Sequence, residues 1–211
     1  MLLSIDIGNT SVTLGVFEGD HLTTTLRVAT DTRRLADEYG FLLTGLLRQK
    51  GIEPSQLDAA CICSVVPPLT VVLDEVCQKF FDLKPLTVSV GTRTGLKILY
   101  DSPRDVGTDR IVDAVAAIEL YGTPAIIVDM GTATVFDGVT RDGEYLGGAI
   151  APGISLAAES LFLNPSQLRR VELQAPKTAI GQNTTAALQS GLVLGYVGLV
   201  TFMVEQFKTE L

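Results

Sequence analysis

A chain of 211 residues, 46% hydrophobic and only 19% charged, holds ample material for a core and shows no signature of disorder. Its net charge of −8 spreads sixteen basic among twenty-four acidic residues, which speaks against a nucleic-acid-binding surface.

Leu2–Ile7, Ser11–Phe17 and Leu22–Val28 read as three short strands joined by tight turns. Asp6 interrupts the first apolar run too early for a signal peptide. Asp31 or Thr32 can cap a helix to about Lys50, with Leu35, Tyr39, Leu42, Leu43 and Leu46 on its apolar face and Gly51 as the stop. Leu57–Val65 reads as a buried strand, Pro67-Pro68 opens a helix to about Asp82, and Leu86–Val90 is a fifth strand. Cys61, Cys63 and Cys77 are odd in number, and two of them lie in an apolar run. They fit small hydrophobes in a reducing cytoplasm, not a disulfide framework or a four-ligand zinc site.

From Gly107 a helix is expected to about Tyr121, and the order then restarts with strands Ala125–Met130, Ala133–Thr140 and Tyr145–Ile150 and a helix after Pro152-Gly153. A Pro-flanked loop near Asn164–Gly181 precedes a long helix from about Thr184 to Lys208. Within it, Ala186–Val204 carries no charge, but Gln189, Ser190 and three glycines break the apolar run. It falls short of the ~20 apolar residues of a membrane span, so a buried helix and no membrane partner are expected.

The repeat has a chemical signature. Ile5-Asp6-Ile7-Gly8-Asn9-Thr10-Ser11-Val12 returns as Val128-Asp129-Met130-Gly131-Thr132-Ala133-Thr134-Val135 at an offset of 123 residues, and Glu18-Gly19-Asp20 answers Arg141-Asp142-Gly143 at the same offset. Each copy is a strand, an Asp at its end, a Gly-hydroxyl turn and a second strand. Glycine lets backbone N–H groups approach phosphate oxygens, hydroxyls add donors, and the Asp can hold a metal or its waters. One such turn is weak; two facing each other could hold a nucleotide polyphosphate.

Asp105-Val106-Gly107-Thr108-Asp109-Arg110 is a third constellation, at the start of the helix joining the halves. First-turn N–H groups favour anions there, so Asp109 can be read as a helix cap. Arg110 gains nothing at a helix N-terminus, but it can grip a carboxylate or phosphate bidentately. A carboxylate beside a substrate hydroxyl is what phosphoryl transfer asks of a protein base. His21, the one histidine, falls in a hairpin turn, so proton transfer is left to a carboxylate, Lys or Tyr.

With these motifs and Gly147-Gly148-Ala149-Ile150-Ala151-Pro152-Gly153, the chain resembles the type III pantothenate kinases of the acetate and sugar kinase, actin and heat-shock chaperone superfamily. The matches keep the family's order over nearly the whole chain. The resemblance implies an α/β fold of two duplicated ribonuclease H-like half-domains in βββαβαβ order, here 1–106 and 107–211, with the second apparently lacking its last strand-helix-strand. Members usually continue through another Gly-Gly loop lining the adenosine site, so the C-terminus is expected to be cut short or untypical.

The resemblance also implies ATP-dependent phosphorylation of pantothenate in the cytoplasm. Asp6, Ile7, Gly8, Asn9, Thr10, Ser11, Val12 and Thr13 would form the first ATP loop, with Asp6 near Mg²⁺ and Thr132 the second ATP contact. Asp109 matches the proton acceptor; Tyr100, Gly107, Thr108, Asp109 and Arg110 match pantothenate contacts. Asp129 matches the ligand of a monovalent cation, potassium or ammonium. Thr184 matches a contact that reaches across a homodimer, and Gly191 and Gly195 on the last helix suit either a dimer seam or internal packing.

Two other readings compete: a nucleotide-binding transcriptional accessory factor without turnover, and an ATPase of the chaperone or actin type. Intact Asp6, Asp109 and Asp129 speak against the first, and the short chain against the second.

Overall fold

Alternating apolar residues lay down three antiparallel strands at the N-terminus, β1 (Leu2–Ile7), β2 (Ser11–Glu18) and β3 (His21–Ala29). The computed structural model describes residues 1–162 and 170–211, and the expected loop near Asn164–Gly181 lies partly outside them. The fold is mixed α/β with two sheets, and the chain divides into two units. Unit 1 takes Met1–Thr94 and Ser102–Val112; unit 2 takes Gly95–Asp101 and Asp113–Leu211.

Unit 1 is built on a five-stranded sheet of order β3-β2-β1-β4-β5, with β4 at Ala59–Ser64 and β5 at Leu86–Thr87. β1 pairs with β2 antiparallel and with β4 parallel, so Asp6 lies opposite Thr13 on one side and Cys63 on the other. Leu3, Ile5 and Ile7 point to one face and are fully or almost fully buried. They join Val12, Leu14, Val16 and Ile62, with Tyr39, Leu43 and Leu47 of helix α1 (Ala36–Gln49) and Leu69, Leu73 and Val76 of helix α2 (Pro67–Phe81). Each such side chain contributes about 1.5–3 kcal/mol relative to exposure. Gly40 brings the two helices together: a Cβ there would lie within 3.0 Å of the Phe80 ring.

Three expectations in this unit change. The first helix starts at Ala36, later than a cap at Asp31 or Thr32 would place it. Asp31 instead turns its carboxylate onto the backbone and side-chain N–H of Arg33, which hold it below the usual carboxylate range. Leu35 is consequently 69% exposed, and Leu47 takes a place in the core. The fifth strand is only two residues long.

Unit 2 repeats the antiparallel meander with β7 (Ala125–Met130), β8 (Ala133–Val139) and β9 (Glu144–Pro152). A two-residue strand, β6 (Lys97–Ile98), which the sequence did not suggest, joins β9 in parallel, giving the order β6-β9-β8-β7. Helices α4 (Ile154–Phe162), α5 (Thr184–Gln189) and α6 (Gly195–Glu210) follow, with a π-helical turn at Ser190–Leu194 between the last two. Phe136, Val139 and Tyr145 are fully buried, and Phe207 of α6 meets Phe136 with ring centroids 6.1 Å apart.

The two hairpins are not residue-for-residue copies. β1 and β2 are joined by Gly8-Asn9-Thr10, whereas β7 and β8 are joined by Gly131-Thr132 alone. Thr132 therefore occupies the place of Thr10, directly before the second strand, and Asn9 is the extra residue. The next turn compensates, since Thr140–Gly143 replaces Gly19-Asp20. That exchange keeps the numerical offset while shifting the register inside the hairpin.

The expectation of a buried last helix is overturned. Thr184–Glu210 is one continuous helical stretch, and only 11% of its most apolar window is buried. Leu194, Val197 and Phe202 are 41%, 54% and 62% exposed. Hydropathy alone cannot tell a core helix from one whose apolar face is left uncovered by its own chain.

Candidate active site

In unit 1 the site begins at the first hairpin turn. Gly8 N–H donates to the Ser11 carbonyl at 3.0 Å and closes the turn, leaving Asp6, Asn9 and Thr10 exposed around it. The end of β3 braces it: Thr30 Oγ1 donates to the Gly8 carbonyl at 2.6 Å, and Thr30 N–H donates to the Thr10 carbonyl at 3.1 Å. Arg27 Nε donates to Ser11 Oγ at 2.8 Å. The side chains of Ile7 and Val12 are buried and support the turn from below. Thr30 and Arg27 escaped the sequence reading because neither lies in the motif; only strand pairing brings them to it.

The second part of unit 1's site is the start of helix α3 (Thr108–Tyr121). Gly107's carbonyl accepts the first helical hydrogen bond, from Ile111 N–H at 3.2 Å. Asp109 is half-buried, and its Oδ1 accepts from Arg110 N–H at 2.8 Å, so one carboxylate oxygen does serve the helix terminus. Arg110 itself is buried. Thr108 Oγ1 donates to the Ser64 carbonyl at 2.8 Å, the last residue of β4. Val65 N–H donates to the Ile7 carbonyl at 3.0 Å, so β4 runs on beside the end of β1. Asp6 and Asp109 are thus both held at the carboxyl ends of neighbouring parallel strands of one sheet, where α/β folds bind ligands.

In unit 2, Gly131 N–H donates to the Ala133 carbonyl at 2.9 Å and closes the second turn, with Asp129 and Thr132 exposed. Gly153 seats against this turn through an N–H bond to the Thr132 carbonyl at 3.0 Å, and a Cβ there would strike the Gly131 and Thr132 carbonyls. Tyr100 packs on Tyr145 with centroids 6.5 Å apart, and on Gly147, where a Cβ would come within 2.8 Å of its ring. Tyr145 donates its hydroxyl to the buried Asp137 carboxylate at 2.7 Å. Thr184, exposed, opens α5 next to Asn183, whose side chain caps Ala186 N–H at 2.9 Å. Gly191 and Gly195 have open space where a Cβ would stand, among the described residues.

No group of three or more His, Cys, Asp or Glu that could hold a metal ion occurs among the described residues. A cation beside Asp6 would therefore draw most of its ligands from phosphate oxygens and water, which is how Mg²⁺ is usually bound.

A model of the type III pantothenate kinase family matches residues 2–206. Type III pantothenate kinase 2 of Symbiobacterium thermophilum is 50% identical over 211 residues, covering all of this chain and 80% of its own length. The type III pantothenate kinase of Myxococcus xanthus is 49% identical over 211 residues, with all of this chain and 82% of the relative covered. Among solved structures, a Campylobacter jejuni protein described as a Baf family transcriptional activator superposes with a TM-score of 0.57 at 20% identity, over 95% of this chain and 78% of that one. A Sinorhizobium meliloti protein described as a 2-dehydro-3-deoxygalactonokinase gives 0.55 at 12% identity, over 95% and 79%. At such identities these two speak for the fold alone. A family model spanning almost every residue, together with half-identical relatives over the full length, places this chain in the type III pantothenate kinase family.

Proposed function

We infer that the chain transfers the γ-phosphoryl group of ATP to the primary hydroxyl of pantothenate, giving 4′-phosphopantothenate, the first step of coenzyme A synthesis. Besides family membership, one observation carries this reading. A phosphate-type turn with Asp6 and a helix start with Asp109 are fastened to the carboxyl ends of adjacent strands β1 and β4.

In this reading the backbone N–H groups and hydroxyls from Asp6 to Thr13 bind phosphate oxygens, with Thr132 a second ATP contact. Asp6 would hold Mg²⁺ or its waters, and the metal would offset charge on the phosphates. The pantothenate oxygen bonds to the γ-phosphorus while the bond to the ADP oxygen breaks, and the hydroxyl proton passes to Asp109. Tyr100, Gly107, Thr108, Arg110 and Thr184 complete the pantothenate set, with Arg110 as the cation for its carboxylate. Asp129 serves a monovalent cation, potassium or ammonium.

The matching meanders fit a duplication, with half-domains of the ribonuclease H type at 1–106 and 107–211. The exposed apolar residues of α6 fit a homodimer of a cytoplasmic enzyme, in which Thr184 contributes to the partner's site. The test is a coupled assay of ADP release with and without pantothenate and K⁺. Release that requires pantothenate is expected; ATP turnover indifferent to pantothenate would refute the assignment.

A further inference from the structure

Gly107 and Thr108 belong to the proposed pantothenate set, where Gly107 can offer only its backbone and Thr108 has already given its hydroxyl proton to a hydrogen bond with Ser64. The φ of Gly107 lies outside the left-handed region, so its backbone does not require glycine. What requires it is space. A Cβ at 107 would lie within 3.0 Å of Asp109 Oδ1, 3.5 Å from its Cγ and 3.9 Å from Oδ2, and these are its three nearest atoms. The Asp109 carboxylate folds back over Gly107 and fills the volume that a side chain would take. Thr108 spends its hydroxyl on the Ser64 carbonyl at 2.8 Å. Ser64 is itself fixed: its Oγ accepts from Thr70 Oγ1 at 2.7 Å and from Val66 N–H at 3.1 Å. The helix start is therefore tied to the same strand end that runs beside Asp6.

We propose that Gly107 and Thr108 are positioning residues for Asp109: Gly107 sets the rotamer of its carboxylate, and Thr108 sets the place of its backbone relative to β4. Oδ1 accepts from Arg110 N–H, and in this proposal Oδ2 is the oxygen that takes the substrate hydroxyl proton. The proposal rests on Asp109 as proton acceptor. Its cost is legible in general terms, because misplacing a reacting group by about 1 Å can cost on the order of 10²-fold in rate.

Gly107→Ala meets only the mobile end of one side chain, so it should fold with an unchanged Tm while turning the Asp109 carboxylate away. Its kcat should fall by roughly 10- to 100-fold, with KM for ATP and pantothenate little changed. In an Asp109→Asn background the same substitution should cost nothing more, within the roughly twofold error of additivity. Thr108→Val should likewise lower kcat, and Thr108→Ser, which keeps the hydroxyl, should restore it. If Gly107→Ala loses as much activity in Asp109→Asn as in the wild type, or raises KM for pantothenate at constant kcat, Gly107 acts on the substrate and the proposal falls. It falls equally if Gly107→Ala turns over like wild type while Asp109→Asn is impaired. An Asp109→Asn enzyme with normal kcat would instead remove the base assignment itself. Should Gly107→Ala not fold, Thr108→Val against Thr108→Ser decides, and equal kcat in the two overturns the anchoring role.

Discussion

Asp109 shows how one carboxylate can be a helix cap and a candidate base together, because its two oxygens face different tasks. Oδ1 satisfies an N–H group that the helix terminus would otherwise leave unpaired. Replacement by Asn keeps an acceptor for that bond and removes the basicity, so Asp109→Asn should fold normally and lose roughly 10²–10⁴-fold in kcat. The low end is expected, since a loose phosphoryl-transfer transition state asks little of the base. Steady-state kinetics beside a melting curve checks both halves of this statement. Arg110 is different in kind. Its guanidinium is buried at a helix N-terminus, where the dipole gives it nothing, and in the proposed function it meets the pantothenate carboxylate. Losing a charge-assisted hydrogen bond costs on the order of 1.5–3 kcal/mol, so Arg110→Ala should weaken pantothenate roughly 10- to 150-fold. Calorimetric titration with each substrate should show ATP affected far less.

Among the elements, the α1–α2 pair and α6 stand at opposite extremes. Gly40 is buried against the ring of half-buried Phe80, and a methyl group there would overlap that ring unless it moved. Gly40→Ala should therefore destabilise unit 1 by about 1–3 kcal/mol through overpacking. Chemical denaturation would measure it, and a variant as stable as wild type would show that the helices can separate cheaply. Helix α6 has no buried residue, although Tyr196 bonds Thr134 and Phe207 reaches Phe136. Val197 and Phe202 lie outside those anchors and are exposed. If a second copy covers them, Phe202→Glu should convert dimers to monomers in sedimentation velocity and leave the near-native far-UV spectrum intact. A monomeric wild-type protein would contradict that reading.

For the whole molecule, the duplicated hairpins are proposed to do different work. Asp6 and Asp129 end equivalent strands, but their turns differ by one residue, so the backbone around each carboxylate is not the same. Asp129→Ala should abolish activation by K⁺ and retain a basal rate, whereas Asp6→Ala should be inactive at every K⁺ concentration. Titrating K⁺ against initial rate in both variants decides it, and K⁺ dependence retained by Asp129→Ala would end the division of labour.

Periodicity and turn chemistry determined most of the elements from the sequence alone. β1 and β7 fall where the apolar runs place them, α2 begins at Pro67, and α3 begins one residue after Gly107. These are local matters: side-chain period, fixed proline φ and glycine punctuation act within a few residues. The carboxylates Asp6, Asp109 and Asp129 could likewise be singled out, because each carries its chemistry in its own side chain. Only tertiary structure could supply Thr30 beneath the first turn, Ser64 as the anchor of Thr108 and Tyr145 behind Tyr100. Strand pairing and helix docking create those neighbours from residues distant in the chain. Burial of the last helix was also beyond the sequence, since hydropathy records the need for a cover and not whether the chain provides it. Among the described residues nothing covers Val197 and Phe202, which are 54% and 62% exposed.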